Sequence, residues 1–269
     1  MDRPAWAPPG IDISKPSVSR MYDFYLGGSH NFEVDREAAR KAMEFMPGLP
    51  KVMQANRAFM RRAVRFAAES GITQFLDIGS GIPTFGNVHE VVQAANPRAK
   101  VVYVDHDPVA VEHSRAVLAG NEGATVVAAD LRNPQEILNS PEVKGLLDLE
   151  QPVALLLVAI LHFVQDADEP YAAVAELRDA LAPGSLLVVT HASYEGMPAP
   201  EQGAGTVGVY EKTRNPLVMR TRDEIARFFE GYEMVEPGLV QMPHWRPETP
   251  PEQEDPITFS GYAGVGRTA

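Results

Sequence analysis

From Gln74 onward, short apolar runs alternate with amphipathic stretches. "QFLDI" ends in a glycine-rich turn, and "KVVYVD", "ATVVAAD", "VALLLVAIL" and "SLLVVTH" follow in order. Between these runs the spacing predicts helices over Asn87–Ala95, Pro108–Ala119 and Asp168–Leu181. Pro108 suits a first helical position, where its missing N–H would have had no partner. Strands that are apolar on both faces and alternate with helices predict a mostly parallel sheet covered on both sides. Right-handed crossovers then make it doubly wound, so the expected fold class is α/β.

The chain ahead of Gln74 has a different pattern. Residues 1–17 are proline-rich and predict an extended arm. Residues 18–73 predict a helical cap, broken at Gly27-Gly28 and at Pro47-Gly48-Leu49-Pro50. Its last helix, around Arg57–Glu69, sets Phe59, Ala63, Phe66 and Ala67 on one stripe, and Gly71 ends it. Arg57, Arg61, Arg62 and Arg65 then fall on the face expected to be solvated. Residues 74–269 make up the core unit, interrupted by a Gly- and Pro-rich stretch over 192–220 that predicts a lid. "TRDEIARFFEG" restores a helix, with Thr221 and Glu224 as its capping box. The tail beyond it holds material for two more strands, expected as an antiparallel pair.

Composition narrows the partners. A net charge of -12 over 269 residues argues against general affinity for nucleic-acid backbones or anionic membranes. No apolar run reaches membrane-spanning length, and "MDRPAWAPPGIDISKPS" lacks the core of a secretory signal, so the expected location is cytoplasmic. The absence of cysteine excludes disulfides, thiol catalysis and thiolate metal sites. The histidines are scattered and no His-Glu-x-x-His occurs, so no metal site is expected.

The candidate chemistry lies at the strand ends, where open α/β sheets hold their ligands. Asp77, Gly79, Ser80 and Gly81 form the turn after the first strand. A dinucleotide fingerprint would want Gly or Ala at position 84, which is Thr, and an acid at 77 suits a cationic ligand end better than pyrophosphate. Asp105 closes the next strand, where a carboxylate that binds ribose hydroxyls belongs. Asp107 beside it suits a helix cap. Asp130 and Leu131 offer a hydrogen-bond acceptor and an apolar wall for a base. Ala159 and His162 leave the fourth strand toward the reacting end. An adenosine ligand with a cationic amino-acid tail and no pyrophosphate is S-adenosylmethionine.

Here the motifs carry a resemblance. "FLDIGSGIP", "VVYVDHDP", "VVAADLR" and "ALAPGSLLVV" resemble the class I, Rossmann-like, S-adenosylmethionine-dependent methyltransferases. "SRMYDFYLGGSHNFEVDREAA", "LDIGSGIPTFGNVHEV", "LHFV", "FFEGYEMVEPGLV", "HWRP" and "YAGVGR" resemble, more narrowly, the S-adenosyl methyltransferase family formerly listed as a domain of unknown function. The resemblance covers nearly all of the chain after Ser17. It implies a seven-stranded methyltransferase sheet with an N-terminal helical cap. It also implies that Asp77, Gly79 and Gly81 cradle the methionine part, that Asp105 binds the ribose, that His106 lies against adenine, and that Asp130 and Leu131 hold the base. The general class has a glycine where this chain has Pro83; the narrower family shares the proline.

"RMYDFYLGGSHNF" sets aromatics beside a double glycine and polar groups. We expect Tyr22, Asp23, Tyr25, Gly27, Gly28, His30 and Asn31 to fold over the cofactor and line the acceptor's mouth. Candidate general bases are His162, His191 and Tyr25, although His162 could equally be structural. The expected activity is methyl transfer to a small molecule. Two alternatives stay open: a catalytically silent cofactor-binding sensor or partner protein, and an NAD(P)-dependent oxidoreductase.

Overall fold

The structure is a computed structural model that describes residues 6–8, 11–84, 86–195, 197 and 200–269. The expected arm over 1–17 and the expected lid over 192–220 therefore lie partly outside the described residues. Three helices come first: α1 (Val18–Tyr25), α2 (Glu33–Phe45) and α3 (Leu49–Glu69). The alternating part runs β1 (Gln74–Ile78), α4 (Val88–Ala95), β2 (Lys100–Asp105), α5 (Pro108–Val117) and β3 (Ala124–Ala128). Two short helices, α6 (Pro134–Leu138) and α7 (Pro141–Leu146), lead to β4 (Ala154–Val158), α8 (Pro170–Asp179) and β5 (Leu186–Ala192). Then come α9 (Pro200–Tyr210), α10 (Arg222–Ala226), β6 (Tyr232–Met234), β7 (Val240–Gln241) and β8 (Gly261–Thr268).

The strands lie in the order β3-β2-β1-β4-β5-β8-β6, with β7 paired to β8 as a short eighth strand. β1 to β5 pair in parallel, and β8 runs antiparallel to β5, β6 and β7. Strand order reverses between β1 and β4, the position where doubly wound sheets bind ligands. Alternate residues serve opposite faces. Phe75, Val101, Leu156 and Val188 pack under α3 and α4 with Trp245. Leu76, Val102, Leu155 and Leu187 pack against α7 and α8. Both faces are covered, which is why these strands carry apolar residues without a polar alternation.

The N-terminal helices divide between two roles. Phe59, Ala63, Val64 and Ala67 of α3 are fully buried against the sheet, so this helix belongs to the core. α1, α2 and the start of α3 form a third cluster with α9. α9 falls within the Gly-rich stretch expected to be a lid. Gly203, Gly205 and Gly208 each cost a helix about 1 kcal/mol relative to alanine. Burial of Val209 and Tyr210 returns about 1.5–3 kcal/mol each. The glycines also permit the approach: a Cβ at Gly205 would sit 2.3 Å from Phe45 Cδ1 of α2.

The double glycine has two causes: Gly27 holds a left-handed backbone, φ 80°, and Gly28 is required by packing. A Cβ at Gly28 would lie 2.0 Å from Asp23 Oδ1. The same carboxylate accepts hydrogen bonds from the His30 N–H (2.9 Å) and Asn31 Nδ2 (2.7 Å). Asp23, Gly28, His30 and Asn31 thus build the turn between α1 and α2. Among the described residues, no helix is long and apolar enough to cross a membrane.

Candidate functional site

At the carboxyl ends of β1, β2 and β4 lies a groove with about 630 Å³ of empty space, part of it open to solvent. Tyr22, Asp77, Ser80, Asp105 and Ala159 are among its walls. It continues into a hollow of about 390 Å³ walled by His106, Asp130 and Leu131, with Gly79 and Asp105 common to both. The sequence-derived cofactor residues therefore converge. Gly79 and Gly81 leave β1 with φ of 75° and 68°, backbone angles that suit glycine. A Cβ at Gly79 would stand 2.6 Å from Ile160, whereas one at Gly81 would meet nothing within 4 Å. Packing requires the first glycine, and the second leaves space toward the groove.

One end of the groove is chemically unfinished. Asp77 is 8% exposed, and its carboxylate accepts no hydrogen bond from the described residues. Burial pushes its carboxyl up to about 7, with Arg57 opposing and Asp105 adding to the shift. Arg57 binds Thr84 Oγ1 (3.0 Å) and Asn87 Oδ1 (3.3 Å) through Nη2, yet its buried Nε has no partner among the described residues. Ser80 Oγ is likewise buried without a partner. Arg57 therefore departs from the solvated face expected for the arginine cluster. Arg62 departs too, donating to the Trp245 and Met242 carbonyls at 2.9 and 3.0 Å. Arg65 pairs with Glu248.

The middle of the groove is set by Asp105. Its Oδ2 accepts from Gly81 N–H and its Oδ1 from Asp107 N–H, both at 2.8 Å. Each oxygen keeps a lone pair for a further donor. Burial raises the Asp105 carboxyl above its usual range, with the neighbouring His106 opposing. Asp107 caps α5 through Val109 N–H (2.8 Å) and also accepts from Ser17 Oγ. Arg20 joins it to the cap: its Nε binds Asp35 at 2.9 Å and its Nη1 stands 3.6 Å from Asp107. At the far end, burial pushes the Asp130 carboxyl up, but hydrogen bonds from Arg132 outweigh it and hold it below its usual value.

A second cavity of about 700 Å³ adjoins the groove, also partly open to solvent. Val18, Tyr22, Asn56, Ala159 and Phe163 line both spaces. A hydrogen-bond chain crosses this shared wall. Ala159 N–H donates to Thr190 Oγ1 (2.8 Å), which donates to Asn56 Oδ1 (2.6 Å). Asn56 Nδ2 donates to the Tyr22 hydroxyl (2.9 Å), which donates to the Met53 carbonyl (3.3 Å). Ala159 holds a left-handed backbone, φ 58°, which strains any residue with a Cβ. Ala159→Gly should relieve about 1–2 kcal/mol of that strain and lose about 0.4–1 kcal/mol to a freer unfolded chain. The expected result is a slightly raised urea midpoint; a lowered midpoint would show that the strain is absent.

The three candidate bases are placed unequally. His162 lines the second cavity, and its Nδ1 accepts from Ala192 N–H at 3.3 Å. Burial, with His191 and Arg220 nearby, holds its ring far below the usual histidine range. The neutral ring then carries its proton on Nε2, a donor. His191 also lines the cavity, but both nitrogens are committed: Nδ1 to the Ala192 carbonyl (2.8 Å) and Nε2 to Arg220 (2.9 Å). Burial keeps its pKa down at about 3. Arg220 continues to the Leu161 and Val164 carbonyls, each at 3.0 Å, and so fixes the segment that bears His162. Tyr25 lies in the cap's core, 3.2 Å from the Tyr210 hydroxyl, and burial raises its phenol far above the usual value. Of the expected mouth residues in α1 and the turn after it, Tyr22 lines the two spaces; Tyr25, Asp23 and Gly28 pack elsewhere. Among the described residues no group of three or more His, Cys, Asp or Glu side chains is arranged to hold a metal ion.

Sequence reasoning missed Asn56, Arg57 and Thr190. The first two lie on a helix whose periodicity alone gives no sign of a ligand. Thr190 sits inside an apolar strand and could have been noticed as its one hydroxyl.

Comparison with known proteins agrees with the fold. Residues 4–269 match the family model described as S-adenosyl methyltransferase. A solved structure from Thermobifida fusca YX, provisionally named a methyltransferase, is 44% identical with a TM-score of 0.91, over 98% of this chain and 99% of that one. A DUF574 family protein from Streptomyces avermitilis MA-4680 is 38% identical with a TM-score of 0.91, over 96% of this chain and 99% of that one. No curated protein matches significantly. The chain belongs to the S-adenosyl methyltransferase family, and is a class I S-adenosylmethionine-dependent methyltransferase.

Proposed function

We propose that the groove binds S-adenosylmethionine and that its methyl group passes to a small-molecule acceptor in the adjoining cavity. The unfinished end of the groove carries this reading. Among the described residues Arg57 Nε and Ser80 Oγ are buried without partners beside the buried Asp77 carboxyl, and an amino-acid tail offers a carboxylate for Arg57 and an ammonium for Asp77. Asp105 then receives the ribose hydroxyls. His106 and Leu131 flank the base, and Asp130 keeps acceptor capacity for an exocyclic amine beside its Arg132 bonds.

The cofactor supplies an electrophilic methyl on a sulfonium, so the protein's main tasks are alignment and exclusion of water. Tyr22, Asn56 and Ala159, shared by both spaces, fix where the two ligands meet. The net charge of -12 favours a small acceptor over nucleic acid. Calorimetry with S-adenosylmethionine and S-adenosylhomocysteine tests the reading, and absence of binding by both would sink it. Asp105→Ala is expected to lower affinity at least tenfold, about 1.4 kcal/mol. A smaller loss would show that Asp105 does not hold the ribose.

A further inference from the structure

The cavity next to the groove has a mostly apolar lining. Among the described residues, no Asp, Glu, Lys or Arg side chain lines it. Met46, Met53, Met197, Met219 and Met242 do, together with aromatic and aliphatic groups. Thioether side chains are apolar, polarisable and adaptable in shape. Its space of about 700 Å³ is partly open to solvent, so a small molecule can enter it. A charged acceptor entering this lining would lose its hydration and gain no ionic partner, at substantial cost. An uncharged, largely apolar body would lose little.

The polar groups restrict the reacting atom. Thr190, Asn56 and Tyr22 bind one another in the chain across the shared wall. His191 has both ring nitrogens committed. His162 takes a backbone hydrogen bond on Nδ1 and so presents a donor, not a base. The Thr206, Tyr210 and Ser260 hydroxyls are also bonded within the protein, so among the described lining residues none is arranged to remove a proton and none carries a cation to steady an oxyanion. An alcohol would need the first and a phenolate the second. A neutral nitrogen needs neither.

We propose that this cavity takes an uncharged, largely apolar small molecule and that the atom methylated is a nitrogen whose lone pair is free at neutral pH. The inference rests on the methyltransferase reading of the groove and names the acceptor class for it. The nitrogen lone pair forms the N–C bond as the C–S bond breaks, its electron pair going to sulfur. Positive charge passes from sulfur to nitrogen, so the cavity never holds an added anion. Where that nitrogen carries a proton, the proton leaves to solvent once the product is free. His162 Nε2 donates to a second polar atom of the acceptor and fixes its orientation.

A matched set of probes tests this: aminonaphthalene, naphthol, naphthoate and trimethylammonio-naphthalene, titrated into the full chain saturated with S-adenosylhomocysteine. Aminonaphthalene is expected to bind at least tenfold more tightly than either charged probe. With methyl-labelled S-adenosylmethionine it should gain the label on nitrogen, while naphthol binds without being methylated. Met219→Lys should weaken aminonaphthalene at least tenfold while S-adenosylhomocysteine affinity stays within about twofold. The inference is overturned if a charged probe binds as well as the amine. It also falls if naphthol is methylated as fast, if the neutral probes fail to bind the cofactor-loaded protein, or if Met219→Lys leaves amine binding intact. Failure of S-adenosylhomocysteine itself to bind would instead remove the reading of the groove.

Discussion

Asp77→Asn is expected to make the free protein more stable and the cofactor complex much weaker. Burial raises the Asp77 carboxyl from 3.8 to about 7. Between those values the folded state holds a proton that the unfolded state has lost. Stability therefore falls as pH rises through that window, and above it the ionised carboxylate costs the fold up to about 4 kcal/mol. Asparagine removes the charge and that cost. The variant should melt higher than the parent at pH 8, with the difference vanishing near pH 3. A bound ammonium favours the ionised form, so cofactor binding at pH 7 should release about half a proton. Calorimetry in buffers of different ionisation enthalpy reads this directly. Affinity should climb with pH by up to about tenfold per unit below 7. Loss of a charged hydrogen bond, about 1.5–3 kcal/mol, corresponds to roughly ten- to a hundredfold weaker binding by the variant. A variant that melts lower at pH 8, or binds as tightly as the parent, would contradict this role for Asp77.

Arg20→Ala is the second large effect. The Arg20 side chain is 2% exposed and Asp35 is fully buried. Asp35 also accepts from the Ser17 and Phe32 N–H groups at 2.9 and 2.8 Å. Removing the guanidinium leaves two buried carboxylates, Asp35 and Asp107, without their cation. Breaking such a pair costs about 3–5 kcal/mol, whereas removing both charges costs far less. Urea unfolding should show that loss for Arg20→Ala, and Arg20→Met combined with Asp35→Asn should recover part of it. Cofactor affinity should also fall in the single variant, because Asp107 N–H holds Asp105 Oδ1. Equal stability of the single and double variants would show that the charges are not coupled.

Much of the site was legible because strand ends are legible. Asp77, Asp105, Asp130 and Leu131 each follow an apolar run, and a parallel sheet brings such ends together. Glycines at 79 and 81 marked backbone that must turn left-handed. The helical contributions were hidden for a physical reason. Arg57 and Arg61 are one turn apart, a spacing shared by solvated faces and by a side chain that reaches over a strand end. Periodicity reports which face is apolar, and an arginine satisfies either environment by extending its long stem. α9 was missed because three glycines lower its intrinsic helicity, and only its packing against the N-terminal helices restores it. β6 was missed because three residues, half exposed, leave no apolar pattern. Tyr25 and the double glycine looked like mouth residues, since aromatic and polar groups set close together suit a pocket and a packed turn alike.

β8 has a consequence for how the molecule is made. It lies between β5 and β6 in the sheet, and its start, Gly261, walls the second cavity with Ser260. A ribosome will have delivered every other strand before residues 261–268 emerge. Until then β5 keeps an unpaired edge rich in Leu and Val, the kind of surface that recruits other chains. The nascent protein thus passes through a stage in which its cofactor groove can close while its acceptor cavity lacks a side. Loss of those residues should yield an aggregating product rather than a smaller enzyme.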